Sequence, residues 1–159
     1  MKSLLVLTSV EELQTKINAE VKELNSDVGI FISLNKTQKS TEEIFKKNGI
    51  DVDKIFFIDC VTSEKARDDV LHIKPDDLDT LSEATITFIK DIDGNKFLVI
   101  DALSTLLIYN SENKVAKFVK DITSYASSNN VQVVAFSPKT QGEELLNKIF
   151  NFFDEVKGN

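Results

Sequence analysis

The chain has 159 residues, 42% of them apolar and 28% charged, with 19 basic against 26 acidic residues and a net charge of −7. That length and apolar content fit one domain with a core of its own. The acidic balance, with Arg67 the only arginine, excludes a general nucleic-acid binder, which needs clustered Lys and Arg. The single cysteine, Cys60, excludes an internal disulfide.

The opening Met1-Lys2-Ser3-Leu4-Leu5-Val6-Leu7 is too brief for a secretion signal, and Glu11 and Glu12 follow at once. No apolar run reaches membrane-spanning length, so a cytoplasmic protein is the expectation. Leu4 to Thr8 reads as a buried strand. Ser9 and Glu12 read as a capping box for a helix over 10–25 carrying Val10, Leu13, Ile17, Val21 and Leu24. Gly29 to Leu34 is a second strand, Ser40 and Glu43 a second capping box, and Gly49 a left-handed helix stop. Ile55 to Asp59 is a third strand. Residues 61–73 read as a loop with a short strand at Val70 to Ile73.

Pro75, followed by Asp76 and Asp77, opens a helix through about Ile89. Asp93-Gly94 is a turn and Phe97 to Asp101 the fourth strand. Ser111 opens a helix with Val115, Phe118, Val119, Ile122 and Tyr125 on its apolar face. Val131 to Phe136 is the fifth strand. Thr140 and Glu143 form a third capping box, before a last helix carrying Leu145, Leu146, Ile149, Phe152, Phe153 and Val156. Strands and helices alternate, and the strands are continuous apolar runs, as when helices cover both faces. The expectation is a three-layer α/β/α domain over residues 1–157 with a mainly parallel, five-stranded, doubly wound sheet. Residues 158–159 are a tail, with Lys157 already loose.

Ligands of such sheets bind beyond the carboxyl ends of the strands. Thr8, Ser9, Asp59, Asp101 and Ser104 are therefore the candidate cleft residues. Asp59 and Asp101 close apolar strands, where a carboxylate pair can hold a cation or a water, or can simply cap a loop. His72 is the sole histidine and lacks the partners of a base. Cys60 reads as a small buried residue, and one Cys with one His makes no zinc set. A phosphorylatable receiver domain would place an acidic pair where Thr8-Ser9 stand.

Lys96 to Leu107, reading Lys-Phe-Leu-Val-Ile-Asp-Ala-Leu-Ser-Thr-Leu-Leu, resembles the Walker B segment of the RecA/KaiC-like ATPases. Val28 to Leu34, and Lys47 to Asp51 followed by Ile55 to Asp59, are similar to that family's second strand and its passage into the third. The likeness covers most of the chain and looks closest to short archaeal members. It implies a RecA-like, P-loop-NTPase-like core. The departures bear on activity. A P-loop cradles phosphates with glycine amides and a lysine, whereas Thr8-Ser9-Val10-Glu11-Glu12-Leu13 offers neither. Two carboxylates stand there instead, repelling phosphate by an amount on the order of a few kcal/mol. Where the family places an acidic residue to activate water, Asn35-Lys36 follow the second strand. The resemblance implies a magnesium-orienting role for Asp101, which loses its purpose without phosphates.

A degenerate, non-hydrolysing member is therefore expected, with no catalytic residues, cofactor or metal of its own. It would act as a protein-interaction or regulatory module. Leu106, Ile108, Tyr109, Phe150 and Phe153 are the candidate interface for a protein partner or a second copy, because the last helix and the segment after Asp101 are more apolar than one sheet face requires. The alternative is a sensor or hydrolase holding a cation or magnesium nucleotide at Asp59, Asp101 and Ser104 without a P-loop.

Overall fold

The computed structural model describes residues 2–62, 70–139 and 142–158. In chain order these give β1 (Ser3–Thr8), α1 (Leu13–Leu24), β2 (Val28–Ser33), α2 (Gln38–Lys47), β3 (Ile55–Asp59) and β4 (Leu71–His72). There follow α3 (Leu78–Asp91), β5 (Lys96–Ile100), α4 (Glu112–Ser128), β6 (Gln132–Pro138), α5 (Glu143–Ile149) and β7 (Glu155–Lys157). The strands form one sheet in the order β4-β3-β2-β5-β6-β1-β7, and every adjacent pair is parallel.

The continuous apolar strands follow from burial on both sides, since alternate residues supply opposite faces. Leu4, Val6, Phe31, Phe57, Phe97 and Val99 pack beneath α1 and α2 with Ile17, Val21 and Phe45. Leu5, Ile30, Ile32, Leu98, Ile100 and Val133 pack beneath α3, α4 and α5 with Leu81, Val119 and Ile149. Each such side chain, taken out of water, contributes roughly 1.5–3 kcal/mol. On the first face the ring of Phe97 lies across Gly29, its register partner, where a Cβ would come within 2.3 Å of the ring.

Among the described residues seven strands replace the expected five, the additions being short strands at the two edges. β4 falls within the stretch read as a short strand; residues 63–69, Arg67 among them, lie outside the described residues. The last helix is shorter than its apolar spacing suggests. α5 ends at Ile149, Phe150–Phe152 tighten into a 3-10 turn, and Phe153 is extended at φ −105°, ψ 143°. Val156 and Lys157 then pair with Leu5 and Val6 of β1, so Lys157 is in the sheet and not in a loose ending.

Two reciprocal bonds hold this edge. Asp154 Oδ2 accepts the Ser3 N–H at 2.8 Å, and Ser3 Oγ accepts the Asp154 N–H at 3.0 Å. Gly158 continues at φ +84°, so close to β1 that a Cβ would lie 2.0 Å from the Leu7 carbonyl oxygen.

The helix starts also shift. Ser9 Oγ does accept the Glu12 N–H at 3.3 Å, but residues 10–12 form a turn and α1 begins at Leu13. Thr37, not Ser40, caps α2, its hydroxyl accepting the Ser40 N–H. Asp77 caps α3, leaving Pro75 in the preceding turn. Ser111 caps α4 as expected. Thr140 lies outside the described residues; Gly142, at φ +68°, precedes α5.

Candidate functional site at the carboxyl edge of the sheet

Because all strands run one way, their carboxyl ends share an edge. On β3, Asp59 keeps the phase of Phe57, and after β5 Asp101 keeps the phase of Phe97 and Val99. Both therefore face the α1–α2 side. Ser33 pairs in register with Asp59, and Ile32 with Ile100, which brings Ser33 level with Asp101. A buried row results, carboxylate–hydroxyl–carboxylate, with Asp59 1%, Ser33 0% and Asp101 2% exposed.

The carboxylates are occupied by backbone. Asp101 Oδ1 accepts the N–H groups of Leu34 at 2.6 Å and Asn35 at 3.2 Å, and Oδ2 accepts Asn35 at 3.3 Å. Asp101 thus organises the loop after β2. Asp59 Oδ2 accepts the N–H of Gln38, in the first turn of α2, at 2.9 Å. Its Oδ1 accepts Val61 at 2.8 Å and Thr62 at 3.1 Å. Asp59 therefore caps its own loop and fastens α2 as well. Burial pushes the Asp101 carboxyl up to about 7, against the pull of the Leu34, Asn35 and Lys36 amides. Burial first, then the charges of Asp59 and Asp101, push the Cys60 thiol up to about 12, which leaves it un-nucleophilic at neutral pH.

The hydroxyls do not converge. Thr8 shares its face with Leu4 and Val6, whereas Ser137 follows Val133 and Ala135 onto the opposite face. Among the described residues, Thr8 Oγ1, Ser33 Oγ, Ser137 Oγ and His72 Nε2 are buried without a hydrogen-bond partner. Ser9 is engaged in its turn. Ser104 is buried near Gly142, where a Cβ would come within 3.5 Å of the Ser104 Cβ. After β1, the Glu12 N–H goes to Ser9 Oγ and the Leu13 N–H to the Val10 carbonyl at 3.4 Å, and Glu11 and Glu12 stand exposed beside them. The Glu12 and Leu13 amide donors are thus engaged within this turn.

Hollows of about 540, 400 and 240 Å³ lie elsewhere on the surface, and none is lined by Thr8, Asp59 or Asp101. Among the described residues no group of three or more His, Cys, Asp or Glu is placed to hold a metal ion, and no helix is long and apolar enough to cross a membrane.

Of the candidate interface residues, Leu106 and Phe153 are corrected. Residues Leu103–Ile108 form a 3-10 turn, whose three-residue period puts Leu103 and Leu106, both 0% exposed, on one inward row. Phe153, 7% exposed, belongs to the core, and Phe150 packs half-buried against it. Ile108 and Tyr109 face outward, 75% and 52% exposed. Sequence reasoning missed Ser33 and the inner face of α2, where Gln38, Thr41 and Glu42 are buried beside Phe45 and the Gln38 amide bonds Glu42. The 38, 41, 42, 45 spacing is the signal that marks them.

A model of a family of unknown function, DUF7090, matches residues 2–158. No curated protein matches the chain. Among solved structures, the chain is similar to the KaiC-like protein PH0186 from the hyperthermophilic archaeon Pyrococcus horikoshii OT3. The TM-score is 0.69 at 14% identity, covering 98% of this chain and 69% of that one. It is also similar to the uncharacterised protein PH0321 from Pyrococcus horikoshii, solved in complex with an unknown peptide. There the TM-score is 0.75 at 10% identity, covering 98% and 76%. At these identities the likeness is one of fold: a KaiC-like α/β domain.

Proposed function

The chain belongs to the DUF7090 family, and from that premise we propose that it is a non-hydrolysing KaiC/RecA-like domain working as a protein-interaction or regulatory module. The observation that carries this reading is the turn after β1. A triphosphate needs free, clustered amide donors and a lysine there. This turn engages the Glu12 and Leu13 amides internally and exposes Glu11 and Glu12. No glycine in the chain is followed by Lys and Ser or Thr. The carboxylates that would serve magnesium or water hold backbone amides instead. A peptide accompanies the neighbour PH0321, and a segment of a protein partner is the ligand class proposed for this chain, in the cytoplasm.

The test is calorimetry with magnesium ATP and ADP alongside a phosphate-release assay. The expected result is neither saturable heat nor turnover. Turnover that disappears in Asp101→Ala, with the fold intact, overturns the reading. The alternative, a cation or nucleotide sensor at Asp59 and Asp101, is favoured by one observation: Ser33 Oγ lies buried and unpartnered between the two carboxylates. Magnesium binding in the same calorimetry, lost in Ser33→Ala, would support it.

A further inference from the structure

The tip of the 3-10 turn after β5 is the most exposed large apolar surface among the described residues. Ile108 is 75% exposed and Tyr109 52%. Isolated exposed apolar side chains are ordinary, but two adjacent ones held on a rigid mount invite explanation. The mount is Asn110. Its Nδ2 donates to the Pro75 carbonyl at 2.8 Å and to the Leu106 carbonyl at 3.0 Å, so the tip is fixed to the entrance of α3.

Asn110 also lines the hollow of about 540 Å³ between α3 and α4. Leu78 is the half-buried apolar side chain in its lining, and Phe118, 4% exposed, lies beneath it in the core. Its charges are the carboxylates of Asp76, Asp77, Asp79, Glu83 and Asp121, against Lys114 and Lys117. Lys117 is already paired with Asp121 at 2.7 Å. Asp76, Asp79 and Glu83 are exposed and have no ion-pair partner among the described residues. The groove is therefore acidic in balance, with Leu78 in its wall, and Asn110 ties it to the aliphatic–aromatic tip.

We propose that the α3–α4 groove with the Ile108–Tyr109 tip is a docking surface for a basic amphipathic helical segment of a partner protein. This rests on the interaction-module reading and names its surface and the chemistry of its partner. A segment with leucine-type anchors on one face would cover Ile108, Tyr109 and the half-buried Leu78, in the helix-in-groove mode. Lysines or arginines beside those anchors would meet Asp76, Asp79 and Glu83, and Tyr109 offers a ring face to a cation. A second copy of this chain fits less well, since two net-acidic grooves would face each other.

The test uses the full chain and a fluorescently labelled helical peptide with leucines on one face and lysines on the other. Controls are a scramble of the same composition and a version with Glu for every Lys. Anisotropy is read for the wild type, for Ile108→Ser with Tyr109→Ser, and for Asp76→Lys with Glu83→Lys, the folding of each checked by thermal melts. The expected result is saturable binding of the amphipathic peptide alone, weakening with salt and about tenfold or more weaker in each double variant. No binding, equal binding of the scramble, or unchanged affinity in both variants overturns the proposal. So does a wild-type dimer in sedimentation that Ile108→Ser with Tyr109→Ser dissolves, which assigns the face to a second copy. Nucleotide calorimetry on the same sample separates the failures. Silence in both assays removes this surface and leaves the module reading standing, whereas ATP turnover removes the module reading itself.

Discussion

Asp101→Asn separates the two forces acting on the buried carboxyl group. Burial favours its protonated form, while three loop amides favour the carboxylate, and burial prevails, with the folded value at about 7 against an ordinary 3.8. A difference of about three units corresponds to about 4 kcal/mol. Between these two values the folded chain binds more proton than the unfolded chain, so stability falls as pH rises. The contribution is fully present below about pH 4, declines across the interval and levels off above about pH 7. In Asp101→Asn the side-chain oxygen still accepts the Leu34 and Asn35 amides, but nothing titrates. The new NH₂ group lacks an acceptor, a cost of roughly 1–3 kcal/mol that is independent of pH. Urea denaturation at intervals from pH 4.5 to 8 reads both curves. The wild-type curve, relative to the variant, should fall by a few kcal/mol, equivalent to roughly 8–16 °C in melting temperature for a chain of this size. Parallel curves, or a wild-type curve rising with pH relative to the variant, would show that the amide bonds outweigh burial and would refute the argument.

Cys60, with its thiol pushed up to about 12, carries only about one thiolate in ten thousand at pH 8. Iodoacetamide should label it far more slowly in the native chain than in urea, and equal rates would contradict its burial. The same shift makes folding less favourable as pH rises from about 9 towards 12. Gly158→Ala would force a left-handed backbone on alanine and drive its Cβ into the Leu7 carbonyl. Loss of the β7 edge is the expected outcome, read as faster amide exchange in residues 4–6 together with a lowered melting temperature. Unchanged exchange there would show that the edge does not depend on this close approach.

The central strands were legible because a strand buried on both faces must have a continuous apolar run, and β1, β2, β3, β5 and β6 each carry one. The edge strands obey no such rule. β7 is Glu-Val-Lys, with Glu155 and Lys157 exposed, and its apolar neighbours misled in a specific way. Ile149, Phe152, Phe153 and Val156 recur at spacings of three and four, which a continuing helix shares with a 3-10 turn leading into a strand. What ends the helix is the Ser3–Asp154 exchange, between residues 151 positions apart, and no local pattern reports it. The start of α2 was ambiguous for a related reason. Thr37 and Ser40 are both capping residues, and the choice goes to Thr37 because Asp59 receives the Gln38 amide next to it.

The same limit governs the candidate site. Strand-end position was enough to select Asp59 and Asp101, but their roles depend on which donors the fold brings to them. A carboxylate facing side-chain or solvent donors can bind and exchange a ligand, because those donors reorient at little cost. A carboxylate that holds the amides of its own loops cannot release them without moving the loops. Asp101 holds Leu34 and Asn35, and Asp59 holds Gln38, Val61 and Thr62. A cation entering between them would have to match six backbone bonds before it gained any binding, and Ser33 adds one hydroxyl to that contest. Chemistry at this edge is therefore costly, and recognition through the exposed side chains beyond it, Ile108 and Tyr109 foremost, meets no such cost.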